Sequence, residues 1–338
     1  MLLESKTANT PDRLLRVGVI STGFIAERFV AAAHASSKVQ VTAIASRTAA
    51  RAEEAATAWG VDEAFGSYTD LLECSEVDAV YIGLPNSMHV PWTTEALRHG
   101  KHVLCEKPLS RRPKEVEALF DLAEEAGLLV SEAFMYRHHP QTRALADLVM
   151  QGAIGELQTI RAAFSFVVWE PESNVRLRKD LDGGALMDVG CYCVSAARLL
   201  AGEPNRVYGE QVVGPSGVDE RFHGTLLFDN DIVAHIDAGL RSRHASLTVV
   251  GSEGALLVAD PWHCRQPGIE LQRPNGESER LDVESASTYQ LEIDDLASAI
   301  RGESTLLLGR PDAVGQARTI SALYRSAETR MPVLLYDR

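Results

Sequence analysis

The chain has 338 residues, a length that favours two domains over one, and 45% of them are hydrophobic, enough for a sizeable core. Its net charge of −14 disfavours nonspecific binding to nucleic acid or to an anionic membrane. No apolar stretch approaches the length of a membrane span, and the polar residues 1–11 lack the apolar stretch of a signal peptide and read as a loose tail, so a cytoplasmic protein is expected.

Residues 14–131 alternate short apolar strands with amphipathic helices. Strands are expected over 14–20, 39–45, 79–84, 102–105 and 128–131, and helices over 22–34, 49–59, 91–99 and 114–126, with Gly127 as a helix C-cap. This rhythm predicts a doubly wound parallel sheet of the Rossmann type. After about residue 150 the pattern changes to runs rich in Val, Thr, Phe and Ile, at 156–169, 224–228, 231–240 and 246–250. Asp229-Asn230 and Gly251-Ser252-Glu253-Gly254 read as hairpin turns, so a second unit built on one open, mostly antiparallel sheet is expected. A helix over 185–200 interrupts these strands, and helices over 291–301 and 312–329 follow them. The five cysteines, 74, 105, 191, 193 and 264, have no metal-ligand or CxxC spacing. No clustered His, Asp or Glu set suggests a metal site either.

The first strand runs into Ser21-Thr22-Gly23-Phe24-Ile25-Ala26, a GxGxxA turn whose first glycine is Ser21. A strand before and a helix after make it a candidate pyrophosphate seat, with Gly23 where the backbone approaches the ligand and Ala26 where helix and strand pack. The second strand ends in Ser46-Arg47-Thr48, where an NAD site ordinarily places an acid for the ribose 2′-hydroxyl. A guanidinium between two hydroxyls suits a 2′-phosphate instead, so NADP(H) is expected in preference to NAD(H). Leu84, Pro85, Asn86 and His89 lie at the end of the strand at 79–84 and just after it, where open α/β sheets bind ligands, and Asn86 and His89 are candidates to reach the nicotinamide ribose or the diphosphate. His89 can equally be a helix-capping residue.

Lys107 ends a buried strand between Glu106 and Pro108. Beside a nicotinamide it is a candidate for the proton that accompanies hydride transfer. The 21–26 turn, Pro85–His89 and Gly100–Pro108 together resemble the glucose–fructose oxidoreductase / inositol dehydrogenase / MocA family. The likeness continues through 132–137, 174–177, 183–192, 291–296 and 309–317 and covers nearly the whole chain after residue 14. The resemblance implies a Rossmann unit at 14–136 and a substrate and oligomerisation unit with an open antiparallel sheet at 137–310. Residues 311–338 would carry a helix returning to the first unit. It also implies a homodimer or homotetramer through the open sheet, a cis peptide before Pro108, Lys107 as catalytic lysine and Glu106 at the nicotinamide ribose. Asp182 departs from the family by standing where a third glycine is common before Gly183-Gly184.

Asp188 and Tyr192 lie four apart, on one face of the 185–200 helix. The resemblance makes them the partners of Lys107; the tyrosine points to the dihydrodiol- and D-xylose-dehydrogenase-like branch. Alcohol oxidation needs a base and a cation near the developing alkoxide. A nearby Lys107 is expected to lower the pKa of Tyr192, and Asp188 to orient a hydroxyl or tune the lysine. Either Tyr192 or Lys107 can carry the proton; the sequence does not choose. Arg137, Trp169 and Arg176 are further substrate candidates, while His138 and His139 read as structural. The expected function is an NADP(H)-dependent oxidoreductase acting on a hydroxyl or keto carbon of a sugar or polyol. The alternatives are a trans-dihydrodiol dehydrogenase, a keto-sugar reductase, or a cofactor-binding sensor that does no catalysis.

Overall fold

The computed structural model describes residues 13–169 and 174–335; the expected tail at 1–11 lies outside them. Its first sheet contains β1 (Leu15–Ile20), β2 (Val39–Ala45), β3 (Glu63–Phe65), β4 (Ala79–Ile82), β5 (His102–Glu106) and β6 (Val130–Ala133), all parallel, in the order β3-β2-β1-β4-β5-β6. Helices α1 (Phe24–Ala33), α2 (Ala49–Trp59), α3 (Tyr68–Glu73), α4 (His89–Arg98) and α5 (Pro113–Ala126) connect them. The strands are apolar on both faces because helices cover both; β4 is buried at every residue. Punctuation follows the sequence. Pro113 opens α5, and Gly60 and Gly127, with φ of 66° at each, close α2 and α5 in the left-handed region. The strand order reverses between β1 and β4, so a crevice opens at their carboxyl ends, where dinucleotides bind in such sheets.

After α6 (Pro140–Met150) the chain builds a nine-stranded sheet from β7 (Leu157–Val167), β8 (Arg206–Val213), β9 (Asp219–Leu227), β10 (Val233–Gly239), β11 (Arg241–Gly251), β12 (Gly254–Val258), β13 (Ile269–Gln272), β14 (Ser278–Leu281) and β15 (Val333–Leu334). The order is β14-β13-β12-β11-β7-β10-β9-β8-β15, antiparallel except where β10 pairs with β7. Both expected hairpins form, β9–β10 and β11–β12. In β9 and β10 buried residues such as Phe222, Ala234 and Ile236 alternate with exposed Arg221, His223, His235 and Asp237, so one face is core and the other bare.

The covered face carries α7 (Cys191–Ala201), entered through a π turn at Leu186–Gly190. The helical run 179–201 is long and apolar enough to span a membrane by length and composition, which the sequence reading did not anticipate. Its most apolar 18-residue window is 78% buried inside the molecule and forms the centre of this core. Two late helices join the sheets. Ile293, Leu296 and Ala297 of α8 (Thr288–Ile300) pack with residues of β1, β2 and α1. The start of α9 (Arg310–Thr329) packs Ala313, Val314 and Ala317 with residues of β5 and α5, and its continuation packs Ile320 and Leu323 into the second core.

Candidate active site

At the end of β1 the buried Ser21 accepts the N–H of Gly23 at Oγ (3.0 Å), so a side chain rather than a glycine closes the turn. Gly23 is extended (φ −85°) and begins α1 without a side-chain cap, leaving the first amides of the helix open toward the crevice. Gly83, just past β4, runs close by: a Cβ there would lie 3.4 Å from both Ser21 and Ile25 side chains. Phe24 is exposed, and the Arg28 guanidinium lies 4.5 Å from its ring centre. At the end of β2, Ser46 is buried with its Oγ 3.3 Å from Thr22 Oγ1, while Arg47 is exposed. Arg47 and Arg51 both act on the Tyr68 hydroxyl, against the burial that raises its pKa. The end of β2 is thus cationic, and these residues fit a dinucleotide with a 2′-phosphate. Arg51 was not singled out in the sequence; its spacing of four from Arg47 on a helix start was the available signal.

Leu84 and Pro85 are half-buried, and Asn86 Nδ2 donates to the Asp182 carbonyl at 2.8 Å, joining the crevice to the Gly-Gly loop. His89 is turned inward. Its Nδ1 lies 2.8 Å from the Pro108 carbonyl and its Nε2 2.8 Å from that of Leu84. Burial holds its pKa down, and both nitrogens it would offer a ribose or diphosphate are engaged by the backbone.

Buried Glu106 accepts the Tyr81 hydroxyl at 2.7 Å and the Lys107 N–H at 3.3 Å. Burial raises its pKa, and the Lys107 charge opposes that rise. The Lys107–Pro108 peptide is cis. Lys107 Nζ donates to the Asp188 carbonyl at 2.8 Å, lies 3.9 Å from Asp188 Oδ1 and sits 4.8 Å from the centre of the Tyr192 ring. That carbonyl belongs to the π turn, which sets it to accept from outside the helix. Asp188 Oδ2 accepts Arg176 Nε at 2.9 Å, and the Asp188 charge is the main reason the Arg176 pKa rises. Lys107, Asp188, Tyr192 and Arg176 therefore form one cluster.

The expected lowering of the Tyr192 pKa is overturned. The ring is enclosed by Phe134, Tyr136, Phe164 and Trp262, at 5.5, 5.6, 5.3 and 5.9 Å between centres. Its hydroxyl donates to Met135 Sδ at 3.5 Å. Burial dominates and pushes the pKa well up, because the lysine stands over the ring face rather than beside the hydroxyl.

Arg137 lies apart from this cluster in its bonding: buried, it donates to Ser195 Oγ and to Asp312 Oδ1, both at 3.2 Å, and so fixes α9. Trp169 is 75% exposed, at the edge of the described residues. His138 is buried with its pKa lowered to about 3, and His139 caps α6. Asp182 adopts the left-handed conformation (φ 53°) that a glycine would take and is held by Arg112 (2.7 Å) and Arg111 (3.1 Å). Gly184 is irreplaceable in its place: at φ 125° a Cβ would lie 2.0 Å from Asp219 Oδ1, which also accepts from Tyr324. Sequence reasoning passed over Glu292, Tyr289 and His263. Glu292 is fully buried with neither carboxylate oxygen bonded among the described residues, and when ionised it acts electrostatically on Tyr81 and Tyr289.

A dinucleotide crevice with an anchored lysine at its edge, facing a helix on a second sheet, defines a nicotinamide-type oxidoreductase. Residues 15–134 match the GFO/IDH/MocA oxidoreductase family, NAD-binding Rossmann fold, and residues 142–257 match the GFO/IDH/MocA C-terminal domain. A D-xylose 1-dehydrogenase (NADP(+)) 2 of Haloferax volcanii is 37% identical over 322 residues, 94% of this chain and 99% of its own. A dTDP-3,4-didehydro-2,6-dideoxy-alpha-D-glucose 3-reductase of Streptomyces violaceoruber is 40% identical over 281 residues, 80% of each chain. The crystal structure of a 3-ketoreductase from Actinomadura kijaniata, in complex with NADP and TDP-benzene, superposes with a TM-score of 0.87 at 32% identity, covering 93% of this chain and 98% of that one. The chain belongs to the GFO/IDH/MocA oxidoreductase family, as its motifs led us to expect.

Proposed function

We propose that this protein is an NADP(H)-dependent oxidoreductase acting on a hydroxyl or keto carbon of a sugar or related polyol. The observation that carries the reading is the Lys107 ammonium, fixed by the Asp188 carbonyl at the edge of the dinucleotide crevice. The 21–26 turn, Leu84–Asn86 and Glu106 would hold the cofactor, with Arg47 and Ser46 at the 2′-phosphate, so NAD(H) is the weaker partner. When bound, the nicotinamide supplies or accepts the hydride. Lys107 has N–H donors left beyond the one given to Asp188 and holds or gives the proton at the substrate oxygen. Tyr192 forms the surface under the ammonium, while Asp188 and Arg176 orient polar groups of the substrate; Trp169 is a candidate outer wall. Arg137, engaged by Asp312, supports the substrate side indirectly.

The two relatives differ in direction. A sugar dehydrogenase and a keto-sugar reductase need the same proton carrier, and relatives of both kinds match this chain at similar identity, 37% and 40%. We also propose the boundaries 14–136, 137–310 and 311–338 for the three structural units, and a homodimer or homotetramer formed through the bare sheet face, whose alternation leaves a wide surface uncovered. A cytoplasmic site is supported by five free cysteines.

The test is a 340 nm assay with NADP⁺ or NAD⁺ against aldoses, inositols and diols, and with NADPH against keto-sugars. Turnover in either direction, better with NADP(H), is the expected result. Tight NADPH binding with no turnover across both panels would establish a sensor instead.

A further inference from the structure

The segment 107–112, which carries Lys107, meets the segment 182–188, which carries Asp188, at more than the lysine itself. Asp182 is buried, and both of its carboxylate oxygens are engaged from the lysine segment. Arg112 donates to Oδ2 at 2.7 Å and to Oδ1 at 3.1 Å, and Arg111 reaches Oδ1 at 3.1 Å. The Asp182 carbonyl accepts Asn86 Nδ2 at 2.8 Å from the loop after β4. Asn86, Arg111 and Arg112, all just past the carboxyl ends of the first sheet's strands, thus converge on one residue at the approach to α7.

A second path runs behind the first. The Arg111 guanidinium lies 5.3 Å from the centre of the Tyr324 ring, the Tyr324 hydroxyl donates to Asp219 Oδ1 at 2.9 Å, and Asp219 Oδ2 accepts the Leu186 N–H at 2.7 Å. Leu186 opens the π turn whose Asp188 carbonyl holds Lys107. The turn after Asp182 has little freedom. Gly183 donates to the Arg178 carbonyl at 3.0 Å and Gly184 to that of Arg176 at 2.9 Å, and a Cβ on Gly183 would lie 2.3 Å from the Arg176 oxygen. Arg176 in turn binds Asp188 Oδ2 at 2.9 Å. A displacement of Asp182 is therefore passed to Arg176 and to Asp188, the partners that surround the lysine.

Asp182 holds φ 53° and ψ 42°, a conformation that glycine adopts without steric cost and a side chain does not. Burying its charge is a further cost, and what offsets both is a carboxylate set between two guanidinium groups of the lysine segment. We propose that Asp182 is a positioning residue: it clasps the segment 107–112 to the turn 183–188, so that Lys107 and Asp188 keep one spacing while the substrate reacts. The clasp rests on contacts alone; its meaning for the reaction rests on the oxidoreductase reading.

The experiment is Asp182→Gly, which keeps the left-handed backbone and removes the carboxylate. It leaves behind only the exposed Arg112 and the half-buried Arg111, so the fold is retained. Hydrogen exchange of the intact protein is measured beside its kinetics and its NADPH affinity. Exchange is expected to rise by about tenfold in both 107–112 and 183–188 while β9 keeps its protection. Turnover, kcat, is expected to fall by about tenfold to a hundredfold, the effect of an ångström-scale misplacement, with NADPH affinity within about twofold of wild type. Asp182→Asn tolerates the same backbone and keeps an acceptor oxygen, so it should restore part of kcat. Adding Arg112→Ala to Asp182→Gly should cost nothing more, because the two act through one contact. Faster exchange confined to 183–188 overturns the clasp, since Asp182 would then serve only its own turn. An unchanged kcat overturns it too, whatever happens to Tm. If the wild type turns over nothing in either direction, exchange that rises in both segments keeps the clasp and the oxidoreductase reading falls alone, whereas exchange that rises in one or neither removes the clasp as well.

Discussion

Lys107 is bound more closely by the main chain of Asp188 than by its carboxylate, 2.8 Å against 3.9 Å. The carboxylate is occupied instead by Arg176. Substituting Asp188 by Asn therefore leaves the lysine anchored and loosens the arginine. Lys107→Ala is expected to lower kcat by about 10²–10⁴-fold, the range of a lost proton carrier, with NADPH affinity little changed. Asp188→Asn is expected to act mainly on KM, with a kcat loss of about tenfold at most. Steady-state kinetics of both variants decide this; equal kcat losses would make the carboxylate a proton-transfer group.

Tyr192 offers a second separation. Among the described residues its hydroxyl bonds only to a thioether, a weak acceptor, so Tyr192→Phe should change stability by less than about 1 kcal/mol. Because burial raises its pKa, the tyrosine should contribute no limb to the neutral part of the pH–rate profile. The profile of kcat/KM is expected to keep its shape in Tyr192→Phe, and a limb that vanishes with the hydroxyl would return the proton to this residue.

Cofactor preference should rest on the end of β2. Arg47→Ala is expected to weaken NADPH by about tenfold to a hundredfold, the effect of one or two charge-assisted bonds, and to leave NADH unchanged. Arg51→Ala should act in the same sense. Fluorescence titration with both cofactors measures this, and parallel losses for NADPH and NADH would place these arginines elsewhere.

The buried Glu292 makes a statement about stability. Its folded pKa is raised by burial, with Glu106 adding repulsion, so the folded state keeps a proton that the unfolded state releases near the usual carboxylate pKa. The associated stability is complete below the unfolded pKa and is lost as pH rises toward the folded one. Glu292→Gln, which cannot ionise, should therefore gain Tm over wild type by an amount that is small at pH 5 and larger at pH 8. Thermal melts across that range test it; a constant gap would mean the carboxyl does not stay protonated.

Gly184→Ala is expected to cost more than about 3 kcal/mol, since it combines a left-sided φ with a collision against a buried carboxylate. Asp219, whose pKa burial pushes up to about 6, cannot withdraw without giving up the Leu186 N–H at 2.7 Å. Low soluble yield or a large fall in Tm is the expected outcome, whereas a wild-type melt would show that the loop can yield.

Elements with one strong pattern were legible from the residues alone. β2 and α2 fall on the expected boundaries, 39–45 and 49–59, because apolar alternation passes directly into a helix that Gly60 ends. The far strands were not. β14 reads Ser-Glu-Arg-Leu and β15 has two residues, and such short polar segments become strands only because a neighbour offers free backbone groups. In the site, Lys107, Asp188 and Tyr192 were visible through their motifs. The inward turn of His89 and the commitment of Arg137 to Asp312 depend on carbonyls and helices distant in sequence. Glu292 looks like a solvent-facing helix residue until α8 is packed against both the first sheet and the segment at Met135–His138.

β7, which carries Phe164, has no neighbour close to it in sequence. Both flanking strands lie far downstream: β10 starts at Val233, 66 residues after β7 ends at Val167, and β11 follows it. During synthesis β7 must therefore wait, with both edges unpaired, while the first sheet can add its strands nearly as they emerge. The aromatic wall beneath the lysine is then among the last parts of the molecule to close. A lesion that weakens β10 should leave chains that still retain nucleotide yet have lost their grip on the second substrate, and such half-finished chains would be the ones prone to aggregate.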